Sequence, residues 1–128
     1  MATITTRITI SSSDLTGDSL SISKSFNLTS NSGAGITQTS GLNRLNGLNT
    51  ITTIFSAADF ANEEAYLFIH NTDTGKSNKV ILTQGSQQIA FIQGGDSIFM
   101  AIDPATLDIK LTADLASTTV EYQLFHNG

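Results

Sequence analysis

The chain has no cysteine, no tryptophan, a single proline in 128 residues and only 13% charged side chains. Each shortage excludes something. Without cysteine there are no disulfides and no thiolate metal centres, so the sequence carries no redox signal. Four lysines and two arginines are scattered along it. Phosphate recognition needs clustered cations that displace counterions, so nucleic acid is not an expected partner. No apolar run approaches the length that spans a bilayer, and the opening MATITTRITI lacks the basic-then-apolar layout of a signal peptide. No membrane partner is expected, and the reading is of a soluble protein made in a cytoplasm. Low charge also argues against disorder, because disordered chains are usually rich in charge and poor in β-branched residues. Here the polar load is Ser, Thr, Asn and Gln, and Thr and Ile are abundant. The net charge is −5.

What is present is strand. The stretch Tyr66 to Leu82, YLFIH-NTDTGKSN-KVIL, places eight polar residues between two apolar runs. Tyr66-Leu67-Phe68-Ile69 is apolar on both faces of a strand, as a central strand covered on each side must be. Val80-Ile81-Leu82 has the same character. The Asn, Asp, Ser and Gly between them favour turns. This predicts a β-hairpin with a long loop.

The rest of the chain alternates at strand spacing. Ile4, Thr6, Ile8 and Ile10 share one face of residues 3–10, read as a half-buried strand. Leu20, Ile22, Phe26 and Leu28 share a face of 19–28 that Lys24 interrupts, opposite a row of serines. Leu42, Leu45 and Leu48 recur in a Leu-Asn repeat of period three inside the long 30–49 segment. That segment is either an irregular loop tucking three leucines onto the core or an interaction loop. Residues 50–55 form another strand, with Ile51, Thr53 and Phe55 alternating. The run 56–65 has the only helical character, with Ser56 as a cap and Asp59 three residues on. Strands follow at 87–92, 97–102, 108–113 and 119–126, separated by Gly94-Gly95-Asp96, Asp103-Pro104 and 114–117. About eight short strands with almost no helix predict an all-β chain, an antiparallel β-sandwich or jelly-roll-like barrel. It reads as one domain, with residues 1–12 as an N-terminal arm or partner-pairing strand. The core is expected at Leu67, Ile69, Ile81, Phe91, Phe99, Ile109, Val120, Tyr122 and Leu124.

Motifs for chemistry are sparse. His70 and His126 each end an apolar strand and precede Asn, so a shared rim would pair two imidazoles for metal or proton chemistry. No third ligand is marked, and two satisfied strand-end histidines is the simpler reading. Gly75-Lys76-Ser77 has His70 where a phosphate loop needs glycine, and a strand follows it rather than a helix. Asn71-x-Asp73-x-Gly75-x-Ser77 begins like a calcium loop, but Leu82 holds the position of its terminal glutamate. Asn27-Leu28-Thr29 is a glycosylation sequon without a secretion signal. Glu63 and Glu64 are adjacent and point apart in either secondary structure. No nucleophile-elbow pattern marks a serine. No cofactor or metal is expected, and the chain reads as a non-enzyme.

Three segments carry a family resemblance: ITTIFSAADFANEEAYLFIHNTDTG (51–75), IAFIQGGDSIFMAI (89–102) and DIKLTADLASTTVEYQLFHNG (108–128). Their pattern is a Tyr-x-x-Ile-x-Asn-Thr strand and turn, a Gly-Gly-Asp turn before an apolar strand, then Asp-Ile-Lys-Leu-x-Ala and Val-Glu-Tyr-x-Leu-Phe. Over roughly the last 80 residues the chain resembles small virion structural proteins of tailed bacteriophages, especially those infecting marine cyanobacteria. The resemblance implies a capsid decoration or cement protein on the outer surface of the shell, synthesised in the bacterial host cytoplasm. It implies the major capsid protein as partner and no catalytic residues. Self-association as a homotrimer is expected, because repeated copies close into cyclic rings and capsids offer local threefold positions. The candidate partner contacts are Ile4, Arg7, Ile8, Leu42, Arg44, Leu45 and Leu48. They come from a terminal strand free to pair with a neighbouring sheet edge and from a long irregular segment. Two alternatives stand beside this reading. A tail or fibre component would contact a host-surface glycan and would need exposed aromatics. A small β-sandwich enzyme would use His70 and His126.

Overall fold

The computed structural model describes residues 4–13, 20–28, 38–46, 48–60, 65–103, 107–115 and 117–126. Among these residues eleven strands run β1 (Thr5–Ser12), β2 (Leu20–Asn27), β3 (Gln38–Thr39), β4 (Asn43–Leu45), β5 (Thr52–Phe55), β6 (Ala65–Asn71), β7 (Val80–Gln84), β8 (Gln87–Ile92), β9 (Ser97–Ile102), β10 (Ile109–Ala113) and β11 (Val120–His126). Among the described residues the only helical element is one 3₁₀ turn, Ala57–Phe60. The backbone N–H of Ala58 is bonded by Ser56 Oγ at 3.3 Å, as the capping pattern expects, and that of Ala57 by Asp108 Oδ1 at 2.8 Å. The side chain of Asp59 lies outside the described residues, as do the whole of Glu63 and Glu64.

The chain is an all-β antiparallel sandwich. One sheet has the order β5-β10-β7-β8, the other β3-β11-β6-β9 with β4 also on β11. β3 and β4 pair opposite ends of the same strand, Thr39 opposite Phe125 and Arg44 opposite Glu121. They are therefore one edge strand broken at residues 40–42. Gly41 sits in the break with φ +73°, a backbone that L side chains rarely adopt. Here the structure adds order to a segment read from sequence as irregular.

The core lies between the sheets. Ala65, Leu67 and Ile69 of β6, Val120 and Leu124 of β11, Val80 and Leu82 of β7, Ile92 of β8, and Ile109 and Leu111 of β10 are all buried. Tyr122 packs against this cluster and meets Phe55 edge-on at 5.8 Å. Three residues expected inside are elsewhere. Phe91 is 53% exposed, and Ile81 opposite it is half-buried on the outer face of its sheet. Their neighbours Val80, Leu82 and Ile92 point inward instead. Phe99 is half-buried on the outer face of the other sheet, where Tyr66 stacks on it at 5.9 Å. Near-continuous apolar runs hide which parity faces the core, and the longer ring was the wrong guide.

The Tyr66–Leu82 hairpin is also corrected. β6 and β7 belong to different sheets, so residues 72–79 cross the sandwich rather than turn back along one sheet. Asn71 anchors the crossing. It is fully buried, its amide nitrogen donates to the carbonyls of Asn78 (2.9 Å) and Ile92 (3.0 Å), and its Oδ1 accepts the N–H of Asp73 (3.1 Å). Truncation would leave the Ile92 carbonyl without its partner in the interior, and the Asn78 carbonyl and Asp73 N–H without theirs where they are part-buried. We expect Asn71→Ala to lower stability by about 3 kcal/mol, measured by urea unfolding; a loss under about 0.5 kcal/mol, the range of a neutral surface change, would show that these bonds do not hold the crossing.

Candidate contact surfaces

β1 and β2 form a sheet of their own, a two-stranded ribbon. Eight residues per strand give it a length of about 27 Å. Its register pairs Thr6 with Phe26, Ile8 with Lys24 and Ile10 with Ile22. One face therefore carries Ile8, Ile10, Ile22 and Phe26 around Lys24. The other carries Thr5, Arg7, Thr9 and Ser11 against Asn27, Ser25, Ser23 and Ser21. The alternation read from sequence is present, but the half-buried face is not. Ile10 is 52% exposed, and Ile8, Ile22 and Phe26 are about two-fifths exposed. Two strands alone have no second layer to cover the apolar side.

The ribbon is tied to the sandwich at its root. The N–H of Leu28, itself buried, donates to the carbonyl of Ile4 at 2.9 Å. Phe26 meets Phe99 at 6.2 Å, and Phe99 also meets Phe125 at 6.5 Å. With Tyr66 these rings make a small aromatic cluster on the outer face of the β6 sheet.

The expected contact residues divide. Ile8 is exposed on the apolar face of the ribbon, and Arg7 is exposed on the polar face, where its Nε donates to Ser25 Oγ at 3.3 Å. Ile4 is half-buried at the root. Leu42 is 60% exposed at the strand break. Arg44 is exposed and pairs with Glu121 at 2.6 Å. Leu45 is half-buried and packs against the core, and Leu48 is fully buried and offers no surface to a partner. The loop reading that tucks leucines inward describes two of the three. Sequence reasoning missed Ile51, 66% exposed, and the outward Phe91 over which Lys79 lies at 5.7 Å.

The two histidines do not share a rim. β6 and β11 are antiparallel neighbours in which His70 faces Glu121 and His126 faces Ala65. Five ladder positions separate them, about 17 Å. His70 Nδ1 instead lies 2.7 Å from Ser97 Oγ. The row Ser97, His70, Glu121 and Arg44 crosses the outer face of the sheet, and Glu121 is engaged by Arg44. Among the described residues no group of three or more His, Asp or Glu side chains is placed to hold a metal ion. In the 72–79 crossing, Asp73 is spent on its own turn. The Asn78 side chain and the backbone N–H of Gly75 hold its carboxyl below the usual carboxylate range. Lys76 pairs with Asp96 across to the next turn.

One apolar recess of about 480 Å³ opens where the edges of β8 and β9 meet. It is lined chiefly by Ile89, Met100, Ile102 and Tyr66, with Gln84 and Asp103 at its polar margin. Gln84 Nε2 donates to the carbonyl of Asp103 at 2.6 Å. Comparison with known proteins gives no relative: no family model, no curated protein and no solved structure matches the chain.

Proposed function

We propose that the chain is a structural protein of a phage virion, a capsid decoration or cement protein that binds the outside of the shell and stabilises it. The observation that carries this reading is the ribbon. A sandwich with its own buried core projects a two-stranded arm whose backbone edges and apolar face are open, which suits attachment better than catalysis. Edge strands recruit partners through main-chain hydrogen bonds with little need of charge. The Thr/Ser/Asn face, with Arg7 as its one cation, is the side offered to the major capsid protein. The low charge of the chain favours hydrogen-bonded contacts that tolerate salt, and its acidity disfavours sticking to packaged DNA. Cyclic copies, with a trimer as the leading arrangement, would set several arms on symmetry-related sites.

The test is removal of residues 1–10. Among residues 4–10, no side chain belongs to the core between the sheets. The truncated protein is expected to keep its thermal midpoint within a few degrees, and to lose binding to purified shells in a co-sedimentation assay. Decoration at full occupancy would overturn the reading. Imaging of labelled particles separates the shell from the tail, where a glycan-binding component would sit.

A further inference from the structure

We propose that the apolar face of the ribbon docks on a second copy of this chain, in the recess between β8 and β9, with Lys24 against Asp103. The proposal goes beyond the virion reading and holds whatever particle the protein joins.

The two surfaces match in chemistry. The ribbon face is Ile8, Ile10, Ile22 and Phe26 around a single ammonium, Lys24. The recess is Ile89, Met100, Ile102 and Tyr66 with a single carboxylate, Asp103, at its margin. On the two paired strands the charges are Arg7 and Lys24, with Lys24 alone on the apolar face; Asp14 and Asp18 belong to the connecting residues 14–19, outside the described residues. Lys24 would make no sense on a face that packs on hydrocarbon alone, since a buried ammonium without a partner is costly. Against a surface with one carboxylate it becomes the element that sets register. Each surface is also unfinished by itself. A two-stranded ribbon is marginal in water without a covering layer. The recess leaves Ile89, one of its lining residues, 38% exposed.

The recess adjoins the root of the arm. Tyr66 lines the recess and also stacks in the aromatic cluster where Phe26 roots the ribbon. A neighbour's arm in the recess would therefore lie beside the root of the receiving copy's own arm. Ribbon and recess are different surfaces, so the contact is head-to-tail and closes into a ring when the rotation permits. The polar face of each arm stays outward for other partners.

The experiment is sedimentation velocity of the purified full chain over a concentration series. The wild type is expected to associate. Lys24→Glu and Asp103→Lys each change an exposed side chain, and each should weaken association about tenfold or more by setting like charges together. An equimolar mixture of the two variants should reassociate, because an unaltered arm on one chain meets an unaltered recess on the other. Circular dichroism checks that both variants keep the wild-type strand signal. A wild type that remains monomeric overturns the proposal, and so does a mixture that fails to reassociate. If the wild type is monomeric while Lys24→Glu loses binding to shells, the face belongs to the shell protein and self-docking is refuted.

Discussion

Gly94→Ala is expected to destabilise the protein by about 4 kcal/mol, near the upper end of single substitutions. The reason is contact, not backbone strain. A β-carbon on residue 94 would stand 2.2 Å from the carbonyl oxygen of Gly75 and 2.9 Å from that of Asp73. Both obstacles are backbone, so no side chain can swing aside. The crossing they belong to is itself pinned, by the three bonds of Asn71, by the Gly75 N–H to Asp73 Oδ1 bond at 3.1 Å and by the Lys76–Asp96 pair. Making room means shifting the crossing away from the 94–95 turn. Gly75→Ala is the control. Its β-carbon would meet Asn78 Nδ2 at 3.0 Å, the end of a side chain, and its cost should be well below that at Gly94. Urea unfolding of both variants decides. A cost under about 1 kcal/mol at Gly94 would mean that the crossing does not rest on this turn, since overpacking of a fixed site costs at least that much.

Ile69→Ala is expected to cost about 4 kcal/mol, through lost burial and the cavity left behind. Ile69 is fully buried on the central strand β6, between Tyr122 of β11 and Ile98 of β9 in the ladder, and faces the opposite sheet. The neighbouring strands β11 and β9 and the opposite sheet hold their positions, so the cavity collapses little. For a domain of this size the thermal midpoint should fall by on the order of 10 °C. Ile8→Ala, on the exposed ribbon face at 42% accessibility, should change it little. The contrast tests the assignment of faces, because each residue sits in a row of apolar side chains at every second position, Ile8 with Ile10 and Ile69 with Leu67. A change at Ile69 below about 0.5 kcal/mol, the level of a neutral surface substitution, would mean that the faces are reversed.

Strand content was legible because a period of two is a local property. Each alternating segment from Thr5 to His126 became a strand with ends within a residue or two of the pattern. The split of Leu42 from Leu45 and Leu48 was not legible. A period of three matches neither face of a strand, and only the break at Gly41 assigns each leucine its side.

By itself, the sequence determined that this chain is all-β, where most of its strands begin and end, that it has no cysteine chemistry, and that none of its apolar runs is long enough to span a bilayer. Tertiary structure alone decided which strands are neighbours. Residues 72–79 look the same whether they close a hairpin or cross a sandwich. The crossing won because Leu67 and Ile69 bury against Val80 and Leu82 across the two layers, and Asn71 satisfies the backbone where the chain changes sheets. Likewise Ile8 and Ile69 each recur with an apolar residue two positions away, and the presence or absence of a second sheet over them separates surface from core. Alternation states that a strand has two faces. Which of them is covered depends on residues far along the chain, and that information exists only once the layers have packed.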